Sequence, residues 1–412
     1  MAAIPRMNVD PFTATGPGRR HAAYAALAAV GPVHRITLPS GELVWLITGR
    51  REVRQALCDP RIIKREATGA ILGGGVLPGD VIAATSSHML NSNGSDHTRL
   101  RRLVSAAFTR RRIEQLAPRI QQITDELLDT MADAAQVELI NAFAYPLPIT
   151  VICELLGVPA QRRAHFHELS SLTAGRGALG DPEVFLAAST AMVGFLQELV
   201  AAKRADPTDD LLSSLVAVRD GADQLSEDEL TSMAWLLLVA GHETTVNLIG
   251  NGVLALLTHP GQLALLRAQP HRLGAAIEEL LRFTGPVQVA TPRRTTEPVD
   301  IGAITIPAGR IVIPGLLAAN RDPACTPQPD TVDITRTDNP HLAFGHGIHH
   351  CLGAPLARLE GRVALGSLLT RYPRLRLAVP PEHLTWRPGV IMHGLHTLPV
   401  TLDSLTAQPS TS

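Results

Sequence analysis

The segment Phe344-Gly-His-Gly-Ile-His-His-Cys351-Leu-Gly353 constrains this chain more than any other. It sets one cysteine just past a glycine-studded loop and just before a helical segment running from Leu352 to about Thr370. Glycines at 345, 347 and 353 permit positive φ and close backbone approach. A thiolate at a helix N-terminus gains from the dipole and from the unpaired N–H groups there. The setting suits a deprotonated cysteine that binds a metal. Two plainer readings compete. A lone cysteine is usually a small buried hydrophobe, and His346, His349, His350 and Cys351 are residue types that suit zinc. Ligands crowded onto one short loop rarely close a tetrahedron, and the sequence offers no second ligand cluster.

Composition narrows the classes. The 412 residues are 45% hydrophobic but only 3% aromatic, so the core must be mostly Ala, Leu, Val and Ile. A net charge of −1 argues against a general nucleic-acid binder. Lysine is scarce against arginine. Cysteines at 58, 153, 325 and 351 lack paired spacing, which predicts no disulfide framework and a reducing compartment. Residues 1–20 lack the apolar stretch of a signal peptide. The most apolar run, Met233–Gly241, is far short of a membrane span. The expectation is a cytoplasmic protein with neither a membrane nor a nucleic acid as partner.

Helical periodicity dominates. The pattern predicts helices at His21–Val30, Arg51–Cys58, His97–Phe108, Ile113–Ala132, Leu147–Leu156, Pro182–Arg204, Glu227–Leu257, Pro260–Ala268, His271–Phe283 and Leu352–Arg371. Val33–Leu38 and Leu43–Thr48 flank Pro39-Ser-Gly-Glu42, a hairpin signal. Val299–Ile306 and Ile311–Pro314 flank Pro307-Ala-Gly309, and Thr397–Leu402 reads as a strand. Gly69–Asp80 is the most loop-like interior stretch and lacks the Gly-Lys-Ser/Thr ending of a phosphate loop. The fold class expected is mainly α with a small β region: an extension over residues 1–20, then one domain over 21–412.

The long helix carries chemistry. Ser226 and Glu229 have capping-box spacing. Its centre reads Ala240-Gly241-His242-Glu243-Thr244-Thr245, where two adjacent β-branched hydroxyl residues are poor helix-interior choices. Thr244 is placed to hydrogen-bond back to the Ala240 carbonyl, and Gly241 leaves room where a small ligand would need it. A zincin would require histidine at 246, where valine stands, so that reading fails. Glu279 and Arg282, three apart, share a helix face and can pair; such a pair is ordinarily a solvated bridge of little worth. His97 and Arg101, four apart, would alone make a basic solvated surface.

Together these segments resemble the cytochrome P450 family, over His21 to Leu402 and in family order. Phe344, Gly347, Cys351 and Gly353 fill the haem-loop pattern Phe-x-x-Gly-x-x-x-Cys-x-Gly, and Ala240 to Thr244 is similar to the oxygen-activation motif Ala/Gly-Gly-x-Asp/Glu-Thr. The resemblance implies the P450 fold, a triangular helical prism with a minor β subdomain. It implies haem b (iron protoporphyrin IX) with Cys351 as axial thiolate, a ligand that favours O–O cleavage. Thr244 would hydrogen-bond dioxygen and Glu243 relay protons, with Ala240 and Gly241 completing the motif; His242 takes no role. Phe344, Gly345 and Gly353 would hold the haem in its loop. His97, Arg101, Arg293 and His349 would bind its propionates, with Arg294 the neighbouring alternative to Arg293. Glu279 and Arg282 match the family's Glu-x-x-Arg.

The resemblance further implies ferredoxin and ferredoxin reductase as electron donors. Arg101, Arg102, Arg110, Arg111, Arg112, Arg358 and Arg362 are candidates for an acidic donor's docking face. Substrate would touch Ala67–Asn91, Leu169–Val193, Ala234–Thr244, Val287–Thr291 and Val390–His393. Few charges lie there (Asp80, Arg176, Asp181, Glu183 and Glu243), which favours a neutral, hydrophobic molecule. Asn93-Gly-Ser-Asp96 and Thr326-Pro-Gln-Pro329 depart from the family's usual turns, and His350 before the thiolate is unusual. The reading is a monooxygenase that hydroxylates or epoxidises a bulky hydrophobic molecule, such as a macrolide or other polyketide, a terpenoid or a steroid. A haem-thiolate peroxygenase and a non-catalytic haem-binding protein are the alternatives.

Overall fold

A computed structural model describes residues 9–64, 78–173, 181–219 and 225–402. Its axis is one helix, Glu227–Thr258, 32 residues long and therefore about 48 Å from end to end. Ser226 and Glu229 form the expected capping box at its start. The helix is apolar almost all round because other helices surround it: Pro146–Leu155, Leu273–Thr284, Ala354–Arg371 and Gly79–Ser86 all pack on it. Gly252 makes two of these contacts possible, since a Cβ there would press Leu280 at 3.2 Å and Leu365 at 3.4 Å.

Most predicted helices stand within two or three residues of their expected ends. Ile113–Ala132 is instead two helices, Arg110–Gln115 and Ala117–Thr130, divided where Pro118 sits in the first turn of the second. Four helices went unpredicted: Gly79–Ser86, Arg163–Thr173, Leu211–Arg219 and the single turn Leu316–Ala319. The first of these absorbs Gly79 and Asp80 from the expected loop Gly69–Asp80; residues 69–77 of that loop lie outside the described ones. One helix, Pro182–Ala205, is long and apolar enough by length and composition to cross a membrane. It packs instead on Arg163–Thr173, Leu211–Arg219 and the long helix, burying Met192, Leu196 and Leu199.

The strands are β1 (Val33–Thr37), β2 (Leu43–Ile47), β3 (Ile62–Ile63), β4 (Gln136–Glu138), β5 (Arg293–Thr295), β6 (Val299–Ile301), β7 (Ile304–Ile306), β8 (Ile311–Pro314), β9 (Arg376–Leu377) and β10 (Pro399–Thr401). The largest sheet has the order β1-β2-β8-β5-β3. The β1–β2 hairpin forms as expected, with Gly41 at φ +86°. The run Val299–Ile306 is not one strand, because Gly302 at φ +59° folds it into the β6–β7 hairpin. β8 then pairs with β2 in parallel and with β5, rather than with that run.

An early and a late segment of the chain meet. Phe12 is fully buried. The amides of Trp386 and Gly389 donate to the carbonyls of Thr15 and Phe12 at 2.8 and 3.1 Å. Arg20 is buried and donates to the Pro11 and Arg387 carbonyls at 3.0 and 2.9 Å.

Candidate active site

Gly345 and Gly347 both hold φ +73°, a conformation that favours glycine. Gly347 is also a close approach, where a Cβ would stand 3.1 Å from the Cys58 sulfur and 3.2 Å from the Leu57 carbonyl. Gly353 differs from expectation. Its φ of −77° is open to any residue, and it caps a helix that begins at Ala354 rather than Leu352. The amides of Gly353 and Ala354 hydrogen-bond the Cys351 sulfur, while the Cys351 amide donates to the Phe344 carbonyl at 2.9 Å.

Cys351 presents surface, yet burial dominates its titration and raises the thiol above its ordinary range. The Gly353 amide, Arg101, the Ala354 amide and Arg358 pull it back. Arg358 reaches over the Phe344 ring, 4.4 Å from its centroid, and grips Glu278 with two hydrogen bonds. The three histidines beside Cys351 do not converge with it. His349 turns to His97, with ring centroids 4.4 Å apart, and His350 to Phe344. Among the described residues no group of three His, Cys, Asp or Glu is placed to hold a metal ion, so the zinc alternative has no site.

Near this loop, among the described residues, a set of bases gathers without an acid. His97 is 3% exposed rather than a solvated surface residue, and its Nε2 is buried with no hydrogen-bond partner. Arg293 is 3% exposed; Nη1 donates to the Leu57 carbonyl at 3.0 Å, and Nε is buried without a partner. Arg294, by contrast, reaches out to the Gly309 carbonyl, so Arg293 is the inward member of that pair. Burial, then Lys64, Arg293, His97 and Arg101, push His349 down to about 2. Burial, then Arg101 and Lys64, lower His97. No carboxylate acts on either histidine. Buried cations lacking a counter-charge are costly, so the cluster fits a group that brings its own anions.

The long helix runs unbroken through residues 240–245. Ala240 is exposed and Thr244 partly so, in a stretch where His242 and Glu243 are buried. Thr244 Oγ1 donates to the Ala240 carbonyl at 2.9 Å, as its position predicts. Gly241 does not make room for a ligand, because a Cβ there would meet Ile152 Cδ1 at 3.1 Å, so it serves helix packing. His242 is a core residue. Its Nδ1 hydrogen-bonds the Leu238 carbonyl at 2.9 Å and its ring meets Tyr145 edge-on.

Glu243 lies one residue, about 100° of helix, away from Thr244. Its Oε1 accepts from Arg387 Nη1 at 2.9 Å, and Arg387 Nη2 donates to Asn247 Oδ1 at 2.6 Å. The four-residue spacing of Glu243 and Asn247 was a visible clue to a shared partner, but nothing in Thr385-Trp-Arg-Pro388 marks Arg387. An Arg387→Met variant is expected to lose about 3 kcal/mol in denaturant unfolding, because it strands a buried carboxylate. Adding Glu243→Gln should restore part of that loss; a double variant no more stable than the single one would disprove the pairing.

The expected arginine face divides. Arg101 and Arg358 act on Cys351, whereas Arg110 pairs with Glu114 and Arg112 with Asp209 and Ser214. Of the expected substrate segments, residues 67–77 and 174–180, including Arg176, lie outside the described ones.

A thiol gripped by two backbone amides and a nearby gathering of buried bases would suit a metal cofactor that carries its own acid groups. Comparison supplies the family. The profile described as Cytochrome P450 matches residues 187–393. The chain is 50% identical over 391 residues to Cytochrome P450 107B1 of Saccharopolyspora erythraea, covering 92% of this chain and 94% of that one. It is 47% identical over 403 residues to the Vitamin D(3) 25-hydroxylase of Pseudonocardia autotrophica, covering 97% of each. The solved structure of the tirandamycin C-bound P450 monooxygenase TamI matches with a TM-score of 0.86 at 48% identity, covering 93% of this chain and 97% of that one. The chain belongs to the cytochrome P450 family. It is a monooxygenase with that family's fold, and the family's haem is held by a cysteine thiolate.

Proposed function

We propose that Cys351 is the axial ligand of haem b and that His97, Arg101, Arg293 and His349 receive its propionates. The observation that carries this reading is the acid-free gathering of buried bases beside the Cys351 loop. Phe344, Gly345 and Gly353 shape the loop under the haem. When bound, the haem supplies the thiolate-assisted splitting of dioxygen. The chain's own residues bind, orient and deliver protons. Ala240 keeps the helix slim beside Thr244 while Gly241 lets Ile152 pack on its other side, and Thr244 turns its hydroxyl between the Ala240 carbonyl and the dioxygen. Glu243, tethered by Arg387, passes protons inward from the buried side of the helix.

The substrate is a bulky, neutral, hydrophobic molecule of the macrolide or polyketide, terpenoid or steroid kind. Support comes from the Vitamin D(3) 25-hydroxylase and the tirandamycin C-bound TamI among its relatives, and from the scarcity of charge in the expected substrate segments. The electron donors are a ferredoxin and its reductase; Arg101 and Arg358, close to Cys351, suit an acidic partner. The working compartment is the cytoplasm. Residues 21–412 are taken as one domain, onto which residues 9–20 pack.

Thr244→Ala tests the relay. The variant is expected to consume reductant at a rate near wild type while product per electron falls about tenfold and peroxide rises, as for the loss of one positioned proton-transfer group. Unchanged coupling would remove Thr244 from the mechanism.

A further inference from the structure

The chain contains only two lysines, Lys64 and Lys203, and both are buried, at 2% and 8% exposure. Lys203 has an evident partner, since its ammonium lies 2.7 Å from Asp210 and 2.8 Å from the Thr208 hydroxyl. Among the described residues Lys64 has no such partner, and its ammonium makes one hydrogen bond, 3.4 Å to the Thr291 carbonyl.

The sheet makes this placement more costly. β3 pairs with β5 so that Ile62 faces Thr295 and Ile63 faces Arg294. One residue further along that register, Lys64 comes opposite Arg293. Like charges directly opposite each other on a sheet repel. Burial and Arg293 together draw the Lys64 ammonium well below its ordinary range. Lys64 also acts on His97, so it stands in the same cluster of bases. Its backbone is fixed there. The Lys64 amide donates to Asn93 Oδ1 at 2.8 Å, and Asn93 caps the helix Gly94–Ala107 that carries His97 and Arg101.

We propose that Lys64 is a further haem-positioning residue, an ammonium that pairs with a propionate beside Arg293. The inference rests on the haem reading above. It explains a buried lysine opposite a buried arginine: two carboxylates entering the cluster turn a repulsive pair into two ion pairs. Arg101, whose charge also acts on the Cys351 sulfur, keeps its place among the propionate residues, with Lys64 as an addition to that set. Lysine suits the position as a compact point charge, where the wider guanidinium fork would compete with Arg293 for the same oxygens.

The test uses the purified holoenzyme and a Lys64→Met variant, which keeps the length of the side chain and removes its charge. Transfer of haem to excess apomyoglobin is expected to run about ten- to a hundredfold faster than wild type, as for the loss of one charged hydrogen bond. The ferric/ferrous midpoint potential should fall, because a nearby cation favours the reduced form. A Lys64→Arg variant should recover the potential in part. The carbon monoxide spectrum should keep its thiolate signature in all three proteins. Wild-type haem retention and wild-type potential in Lys64→Met would overturn the proposal, as would an effect confined to the binding of anionic substrates. A wild-type protein that purifies without haem would overturn the underlying haem reading instead.

Discussion

Arg282→Ala is expected to destabilise the fold by about 3–5 kcal/mol, measured as the shift in urea unfolding followed by far-ultraviolet dichroism. Glu279 and Arg282 are 0% and 2% exposed, far from the solvated bridge their spacing alone suggests. The guanidinium gives Glu279 two hydrogen bonds of 2.8 Å. It also donates to the carbonyls of Asn320, Pro329 and Thr331 at 3.2, 2.8 and 2.9 Å. Glu279 in turn accepts from the Asp333 amide, Arg336 Nε and Asn339 Nδ2 at 2.8, 3.2 and 3.0 Å. Removing Arg282 therefore takes two hydrogen bonds from a buried carboxylate and leaves the Asn320 and Pro329 carbonyls without this donor. Arg282→Lys should recover only part of the loss, because one ammonium cannot reproduce the five-donor fork. A loss under about 1 kcal/mol would mean that this hub does not support the segment leading to the cysteine loop.

Cys351→Ala is expected to abolish the strongly red-shifted Soret band of the reduced, carbon monoxide-treated protein, and turnover with it. The other cysteines are built-in controls. Cys153 is fully buried and its thiol is pushed up to about 12 by burial, while Cys58 and Cys325 are exposed away from the amides that grip Cys351. Alanine at Cys58 or Cys325 should leave the band in place. A Cys351→Ala protein that retained it would send the ligand assignment to another cysteine.

Much of this was legible in the sequence because the signals are local. A capping box, a hairpin turn and a back-bonding threonine each depend on residues a few positions apart, and all three stand where expected. The β6–β7 hairpin was missed because Ile301-Gly-Ala-Ile304 reads as a continuous apolar run until Gly302 is seen to turn. The burial of His97 and of Glu279–Arg282 was missed because side-chain spacing names neighbours on one face without saying what covers that face. Arg387 and Lys64 depend on contacts across more than a hundred residues, which no periodicity encodes. The rarity of lysine was in plain view, but its meaning needed the opposing Arg293.

The meeting of an early and a late segment has a consequence for how this protein is made. Arg387, which holds Glu243, has its own carbonyl held by Arg20. During synthesis residues 9–20 are made long before their partners around Trp386 and Gly389. The central helix is complete by then, but the contact from Arg387 to Glu243 is not. The late stretch thus secures the early segment and completes that pair in one event, so a nascent chain stopped short of Trp386 carries every named motif without it.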